Sequence, residues 1–256
     1  MTQAISGTLE WSVASVNNTK GCRNNCSYCY ARAHALRFKQ IVRAEEWATM
    51  TVRSVRPRKL YPGTVMFPST HDIFPENIDA CAETLRALLE RGNKVLIVSK
   101  PRFDVIPSLL DGLDQWRDQV LLRFTIGTLD AGIAKTWEPD APSPFERLRV
   151  LRYAHSAGWK TSVSMEPMLN PLGVVLEFYT LAPLVTDGIW LGLMNKIGQR
   201  VRGVAAEKIE ALRAAQCDDN IRRIYNRLRL NEKVRWKESV KRVVGLPLET
   251  EAGVDR

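Results

Sequence analysis

The chain has 256 residues, 45% hydrophobic and 25% charged, with a formal net charge of +9. That length suffices for one α/β domain with a full core, and the absence of any run of about 18 apolar residues argues against a membrane span. Residues 1–11 (MTQAISGTLEW) lack the basic start and apolar run of a secretory signal, and five cysteines, three of them clustered, fit a reducing cytoplasm better than a disulfide scaffold.

Residues 8–16 (TLEWSVASV) have strand composition and lead into residues 21–32, GCRNNCSYCYAR. Cys22, Cys26 and Cys29 fall inside eight positions, spaced Cys-x3-Cys-x2-Cys, with Tyr28 before the third. Three thiolates this close cannot all pair as disulfides, and short loops of this kind wrap well around one metal centre. A tetrahedral zinc site needs a fourth ligand. No fourth Cys or His lies at ligand spacing, and the nearest candidate, His34, falls in a predicted helix. A cubane iron–sulfur cluster on three thiolates would keep one iron open to a small-molecule chelate.

A helix is predicted from residue 30 to about 42, then a connection over 44–63 with a basic, Pro-containing end. A short strand over 64–67 ends in the polar turn PSTHD. Residues 76–91 read as an amphipathic helix with Ile78, Cys81, Leu85 and Leu88 on one face and Gly92 as its stop. A buried strand over 94–98 ends at Ser99 and Lys100, followed by a helix over 105–116 and a strand over 120–126. A helix from Pro144 to about residue 157 stops at Gly158, and a strand over 161–165 ends in Glu166-Pro167. A helix over 174–181, a strand over 188–193 and helices over 205–216 and 221–230 complete the core, with a frayed tail over 246–256.

Six alternations of strand and helix imply a parallel sheet wrapped by helices in one domain without internal repeats. Functional groups in such folds gather where strands end. The polar residues there are the cysteine loop, Ser69 to Asp72, Ser99-Lys100, Thr125 to Thr128, Glu166 and Asn195. Six units are too few for a closed eight-stranded barrel, which leaves an open, partial one.

The positive charge is concentrated. Residues 32–59 hold eight basic side chains against Glu45 and Glu46, and residues 220–244 hold nine against Glu232 and Glu238. Such segments are the footprint of a polyanion partner or, more simply, solvated helix faces.

The cysteine loop resembles the cluster loop of the radical S-adenosylmethionine (SAM) enzymes, whose usual core is an open, partial (β/α)6 barrel. The resemblance implies a [4Fe–4S] cluster on Cys22, Cys26 and Cys29, SAM bound at the open iron, and a 5′-deoxyadenosyl radical that abstracts hydrogen from the substrate. It implies a core over 1–203, basic C-terminal helices packed on it over 204–245, and a disordered tail over 246–256. Five stretches in order are similar to the spore photoproduct lyase-like branch, often described as DNA repair photolyase-like: GCRNNCSYCYAR, FPSTHDI, VSKPRFD, LRFTIGTLD and EPDAPSPFERLRVLRYAHSAGW.

Carried over residue by residue, the resemblance puts Tyr28 by the SAM adenine, or else makes it a core aromatic. Lys100 would lie near the SAM carboxylate, where a cation suits an anion. Thr125 stands at a family serine whose hydroxyl meets SAM, or serves only strand propensity. Tyr30 matches an aromatic near the radical path. His71 shares with Asp72 the turn that would touch SAM or substrate, and Ser69 and Asp72 of that turn would be among the cofactor contacts. Ser69 stands where the lyases carry a hydrogen-donating cysteine, and its stronger O–H bond cannot replace S–H in that role. Glu166 departs from the family pattern: it would orient SAM or bind a substrate amine, or be a loop carboxylate. Cys81 and Cys217 read as structural.

The implied function is hydrogen abstraction from a nucleobase, in DNA, leading to modification, rearrangement or repair by an enzyme that is a lyase, an isomerase or a modifying enzyme. The basic residues Arg222, Arg223, Arg227, Lys233 and Arg235, with Trp236 among them, would hold phosphates and stack a base. The implied partners are nucleic acid and an electron donor such as flavodoxin or ferredoxin. RNA, peptide or small-metabolite substrates, and a metal-stabilised DNA-binding protein without catalysis, are the alternatives.

Overall fold

The computed structural model describes residues 4–254. After a 3-10 turn at Gly7–Glu10, β1 (Ala14–Ser15) and β2 (Thr19–Lys20) lead to the cysteine loop and α1 (Tyr30–Arg37). A 3-10 segment, Ala44–Ala48, precedes β3 (Thr51–Val52), which pairs antiparallel with β2. There follow β4 (Val65–Phe67), α2 (Ile78–Leu89), β5 (Val95–Ser99), α3 (Ile106–Asp111), β6 (Val120–Thr125), α4 (Ala131–Trp137), α5 (Pro144–Ser156), β7 (Lys160–Met165) and α6 (Val174–Leu181). The chain ends with β8 (Ile189–Leu191), α7 (Ile197–Arg200), α8 (Ala206–Ala215), α9 (Asp218–Leu228), β9 (Val234–Trp236) and α10 (Glu238–Val244).

Seven strands form one parallel sheet in the order β1-β4-β5-β6-β7-β8-β9, an open sheet wrapped by helices. Strand alternation sorts its two faces. Val65, Phe67, Val95, Ile97, Leu122, Phe124, Val163, Met165, Ile189 and Leu191 join the main core with Leu85 and Leu88 of α2, Val150 and Leu151 of α5 and Phe178 of α6. Met66, Leu96 and Trp190 point the other way and form a smaller cluster with Trp11. Arg123 lies against both indoles, 4.9 Å from Trp11 and 5.2 Å from Trp190, and donates to Ser162 Oγ at 2.9 Å. A cation is attracted to aromatic faces, so this group packs the side of the sheet opposite the main core.

The sheet edges β1 and β9 do not pair with each other. The N-terminal turn bridges them. Lys237, after β9, lies 2.9 Å from Glu10 and donates to Gly7 O at 2.7 Å, and the Glu238 N–H donates to Glu10 Oε2 at 2.7 Å.

Several predicted elements differ. In residues 8–16 only Ala14–Ser15 is strand, because the preceding turn is 3-10. The helix predicted to residue 42 stops at Arg37, where Lys39 takes a left-handed φ of 54°. The helix over 105–116 ends at Gly112, and a 3-10 segment, Asp114–Gln119, follows with Trp116 off helical geometry. No prediction covered α4, which Asp130 caps by accepting from the Ile133 N–H at 2.8 Å. The basic stretch after residue 230 contains β9, the seventh strand, and α10. The tail predicted to fray is tied back over its described part: the Ile5 N–H donates to Glu249 O at 3.0 Å and the Gly253 N–H to Leu9 O at 2.8 Å.

Candidate active site

The cysteine loop lies beyond the C-terminal ends of the strands and is held from three sides. On the first, the Cys22 N–H donates to Trp47 O at 2.8 Å, and Gly21 sits at φ +92° so close to Thr49 O that a Cβ would lie 2.2 Å from it. On the second, the buried Arg32 guanidinium donates to Asn25 Oδ1, Cys26 O and Ser27 O, each at 3.0 Å. On the third, the Ser27 N–H donates to Trp137 O at 2.9 Å. Cys29 caps α1, its sulfur accepting from the Arg32 N–H at 3.4 Å.

All three thiols are free. Cys26 is buried; Cys22 and Cys29 are half-buried against Ala31, Ala35 and Trp47. Burial, the Asp72 charge and Cys26 push the Cys22 thiol far above its ordinary value. Burial pushes Cys26 up to about 12, with Lys100 opposing and Glu138 reinforcing. Thiols so disfavoured as bare thiolates are stabilised as anions by a cationic centre that they ligate. The donor set, three free thiols in one short loop without a fourth ligand there, has the chemistry that a cluster of iron and sulfide takes. Among the described residues no group of three His, Cys, Asp or Glu side chains is arranged to hold a single metal ion.

Asp72, predicted at the cofactor, instead anchors the loop. Its Oδ1 accepts from the Ile73 N–H at 2.9 Å and from Ser99 Oγ; its Oδ2 accepts from Asn24 Nδ2 at 2.8 Å and the Lys100 N–H at 2.9 Å. Four protein donors fill both oxygens, so the carboxylate joins the ends of β4 and β5 to the cysteine loop. His71 is also turned inward, its Nε2 3.3 Å from the Asn18 N–H, and burial lowers its pKa.

Tyr28 and Lys100 meet in a buried ionic group. The Tyr28 hydroxyl donates to Glu138, and Lys100 Nζ lies 5.7 Å from the centre of the Tyr28 ring and 3.6 Å from Glu138. Arg147 pairs with Glu138 at 2.6 Å and donates to Thr125 O at 3.2 Å, which ties the end of β6 into the same group. Burial would raise the Glu138 carboxyl, but Arg147 and Lys100 prevail and hold it below the usual carboxylate range. Lys100 is raised above its ordinary value because Cys26 and Glu138 outweigh its burial.

Tyr30 and Ser69 are also brought together. The half-exposed Tyr30 hydroxyl donates to Ser69 O, and Ser69 Oγ accepts from Asn17 Nδ2 at 2.9 Å. Glu166 ends β7 with its side chain 21% exposed, 3.3 Å from Lys237. Burial lifts its carboxyl above the usual range, against the pull of Lys237. On β7, the buried Ser164 hydroxyl has no hydrogen-bond partner among the described residues.

The residues predicted to hold nucleic acid do not form one surface. Arg222, Arg223 and Arg227 are exposed on α9. Lys233 Nζ donates to Ala182 O at 2.9 Å, and Arg235 donates to Glu232 O at 2.5 Å and Val234 O at 2.9 Å. Both lie at the start of β9, the end of the sheet away from the cysteines. Trp236, predicted to stack on a base, is half-buried against the main core with its ring 5.3 Å from that of Tyr225, because β9 turns it to the helix-covered face.

Glu138, Arg147, Asn24 and Lys237 were not predicted. One of them left a trace: Arg147 falls on the buried stripe of α5 with Val150, Leu151 and Ala154, where a charged side chain demands a partner.

No family model matches the chain. Uncharacterized protein ORF301 of Acidianus two-tailed virus is 31% identical to it over 215 residues, covering 77% of this chain and 70% of that protein. The chain belongs to the family of ORF301. Among solved structures, Streptococcus suis SuiB bound to S-adenosylmethionine aligns with a TM-score of 0.56 at 12% identity, over 94% of this chain and 54% of SuiB. SuiB bound to the precursor peptide SuiA aligns with the same score at 10% identity. A Cys→Ser mutant of spore photoproduct lyase aligns with a TM-score of 0.53 at 16% identity, over 92% of this chain and 78% of that one. At these identities the likeness is one of fold: the open parallel sheet is that of the radical SAM enzymes. The chain spans about half the length of SuiB. Among the described residues no helix is long and apolar enough to cross a membrane.

Proposed function

We propose that the chain is a radical SAM enzyme that acts on a nucleobase in DNA. The observation that carries this reading is the set of three free thiols in one short loop beyond the C-terminal ends of a parallel sheet. Cys22, Cys26 and Cys29 would hold a [4Fe–4S] cluster. When bound, the cluster and SAM together supply a 5′-deoxyadenosyl radical for hydrogen abstraction. Lys100, a cation fixed by Glu138 over the Tyr28 ring, is suited to the SAM carboxylate. Glu166, at the end of β7, is suited to an amine or a hydrogen-bond acceptor, according to its protonation. Ser69 cannot return a hydrogen atom, which favours return through a tyrosine such as Tyr30, regeneration of SAM, or a rearrangement.

Net charge and three arginines support the nucleic-acid part of the reading. The α9 helix carries the chain back to the start of β9, so its first turns, with Arg222 and Arg223, lie toward the strand C-terminal ends. Gln216, just before α9, donates to Met168 O in the loop after β7 at 3.2 Å, which fixes that end. A base attacked by a radical must leave the stack or already be single-stranded. Replacing Arg222, Arg223 and Arg227 by alanine should weaken DNA binding and flatten its dependence on salt; unchanged binding removes this support. SuiB, with the same fold, was solved with a precursor peptide, so peptide is the second reading. The test is anaerobic reconstitution with iron and sulfide, then SAM cleavage under dithionite with DNA, RNA and peptide pools. The expected result is 5′-deoxyadenosine release stimulated by DNA. Zinc in the oxygen-protected protein, or SAM left intact under strong reductant, overturns the reading.

A further inference from the structure

We infer that the outer face of α1 and the segment behind it is the docking surface for an acidic one-electron carrier protein. This rests on the radical SAM reading, because that chemistry needs one electron per SAM cleaved. The inner face of α1 presents Ala31 and Ala35 to the thiol loop, and Trp47 closes the same small core over Cys22 and Cys29. A single layer of chain, residues 30–53, therefore separates two of the three sulfurs from solvent on this side. An electron entering on this side has one layer of chain to cross, the one that packs directly on Cys22 and Cys29.

The outside of that layer has the character of a protein-docking face. Arg37, Lys39, Arg43 and Arg53 are exposed on it. Among them lie two exposed apolar side chains, Phe38 (57%) and Val42 (85%). The Arg37 guanidinium lies 5.5 Å from the centre of the Phe38 ring and the His34 ring 4.4 Å from it, so the aromatic is held on the surface. Glu46 pairs with Arg43 at 3.3 Å and, with Glu45, only partly offsets the basic charge. An apolar centre with a charged rim is how transient protein interfaces are built, the rim steering the encounter. A phosphate backbone needs the cations and not the apolar centre, which favours a protein over a nucleic acid here. The partner that fits has an acidic rim around an exposed redox group. In the step the carrier is oxidised by one electron and the iron–sulfur centre reduced by one, with no atom transferred.

The test compares the reconstituted full chain with the triple variant Arg37→Glu, Lys39→Glu, Arg53→Glu and the uncharged variant Phe38→Ser. Reduced flavodoxin is the probe, and its binding is measured by anisotropy without SAM, so that docking is read apart from chemistry. Flavodoxin binding is expected to weaken about tenfold or more in the triple variant and to fall with added salt. SAM cleavage driven by dithionite should stay within about twofold of the parent, and the iron–sulfur absorbance should be retained. Phe38→Ser, which leaves the charge unchanged, should weaken binding as well. Unchanged flavodoxin binding in both variants overturns the proposal, as does loss of single-stranded DNA binding with flavodoxin binding intact. If no variant nor the parent cleaves SAM, yet parent and variants differ in flavodoxin binding as stated, the docking surface stands and the radical reading falls.

Discussion

At the level of single residues, the site is a set of buried charges arranged so that each answers another. Glu138 illustrates the balance: its side chain is fully covered, and Arg147 at 2.6 Å and Lys100 at 3.6 Å keep it ionised. Replacing one member of such a group leaves its partners desolvated and unmatched, so Glu138→Gln should lose about 3–5 kcal/mol in urea unfolding. The sign of the pH effect follows from the depressed pKa. The stabilisation is complete above the ordinary carboxylate value of about 4.3 and is lost as pH falls from there through the lower folded value. The variant should therefore show a flatter acid limb in its stability profile. Sequence alone made the thiols legible, because all three lie in one short stretch. It hid the Lys100–Glu138–Arg147 group, because those residues come from three separate segments and only the folded sheet joins them.

Among the elements, the long apolar ones were legible and the short ones were not. The β5 and β6 strands and the α2 helix bury continuous or regularly spaced apolar positions, a pattern that survives without structure. The β9 strand has three residues, one of them arginine, inside a basic stretch, so its alternation was masked by charge. The β2–β3 pair is shorter still, yet it presses on the cysteine loop through Gly21. Its left-handed φ of 92° and the nearness of Thr49 O leave no room for a side chain. Gly21→Ala should cost more than about 1 kcal/mol and, because the strain falls on the residue beside Cys22, should sharply lower iron uptake. Iron and sulfide assays beside circular dichroism check this: lost iron with retained secondary structure is the expected result, and full iron loading would contradict it.

For the molecule as a whole, an open parallel sheet was legible from the alternation of strand and helix, whereas the way its open side is finished was not. That finish depends on Lys237, fully buried, 2.9 Å from Glu10 and 3.3 Å from Glu166, with its ammonium 4.1 Å from the centre of the Trp11 ring. Lys237→Met should leave two carboxylates facing each other and cost about 3 kcal/mol or more. In a double-mutant cycle, Glu10→Gln should recover a measurable part of that loss; strictly additive losses would show that the contact does not couple the two ends of the sheet. A sheet stitched by ladder hydrogen bonds between its strands, with its two edges joined only through the Lys237 ammonium, the Glu238 N–H and a few loop contacts, has a built-in weak line. Breathing motions should begin there, with backbone amides flanking Trp11 and Trp236 exchanging with solvent earlier than those of β5 and β6.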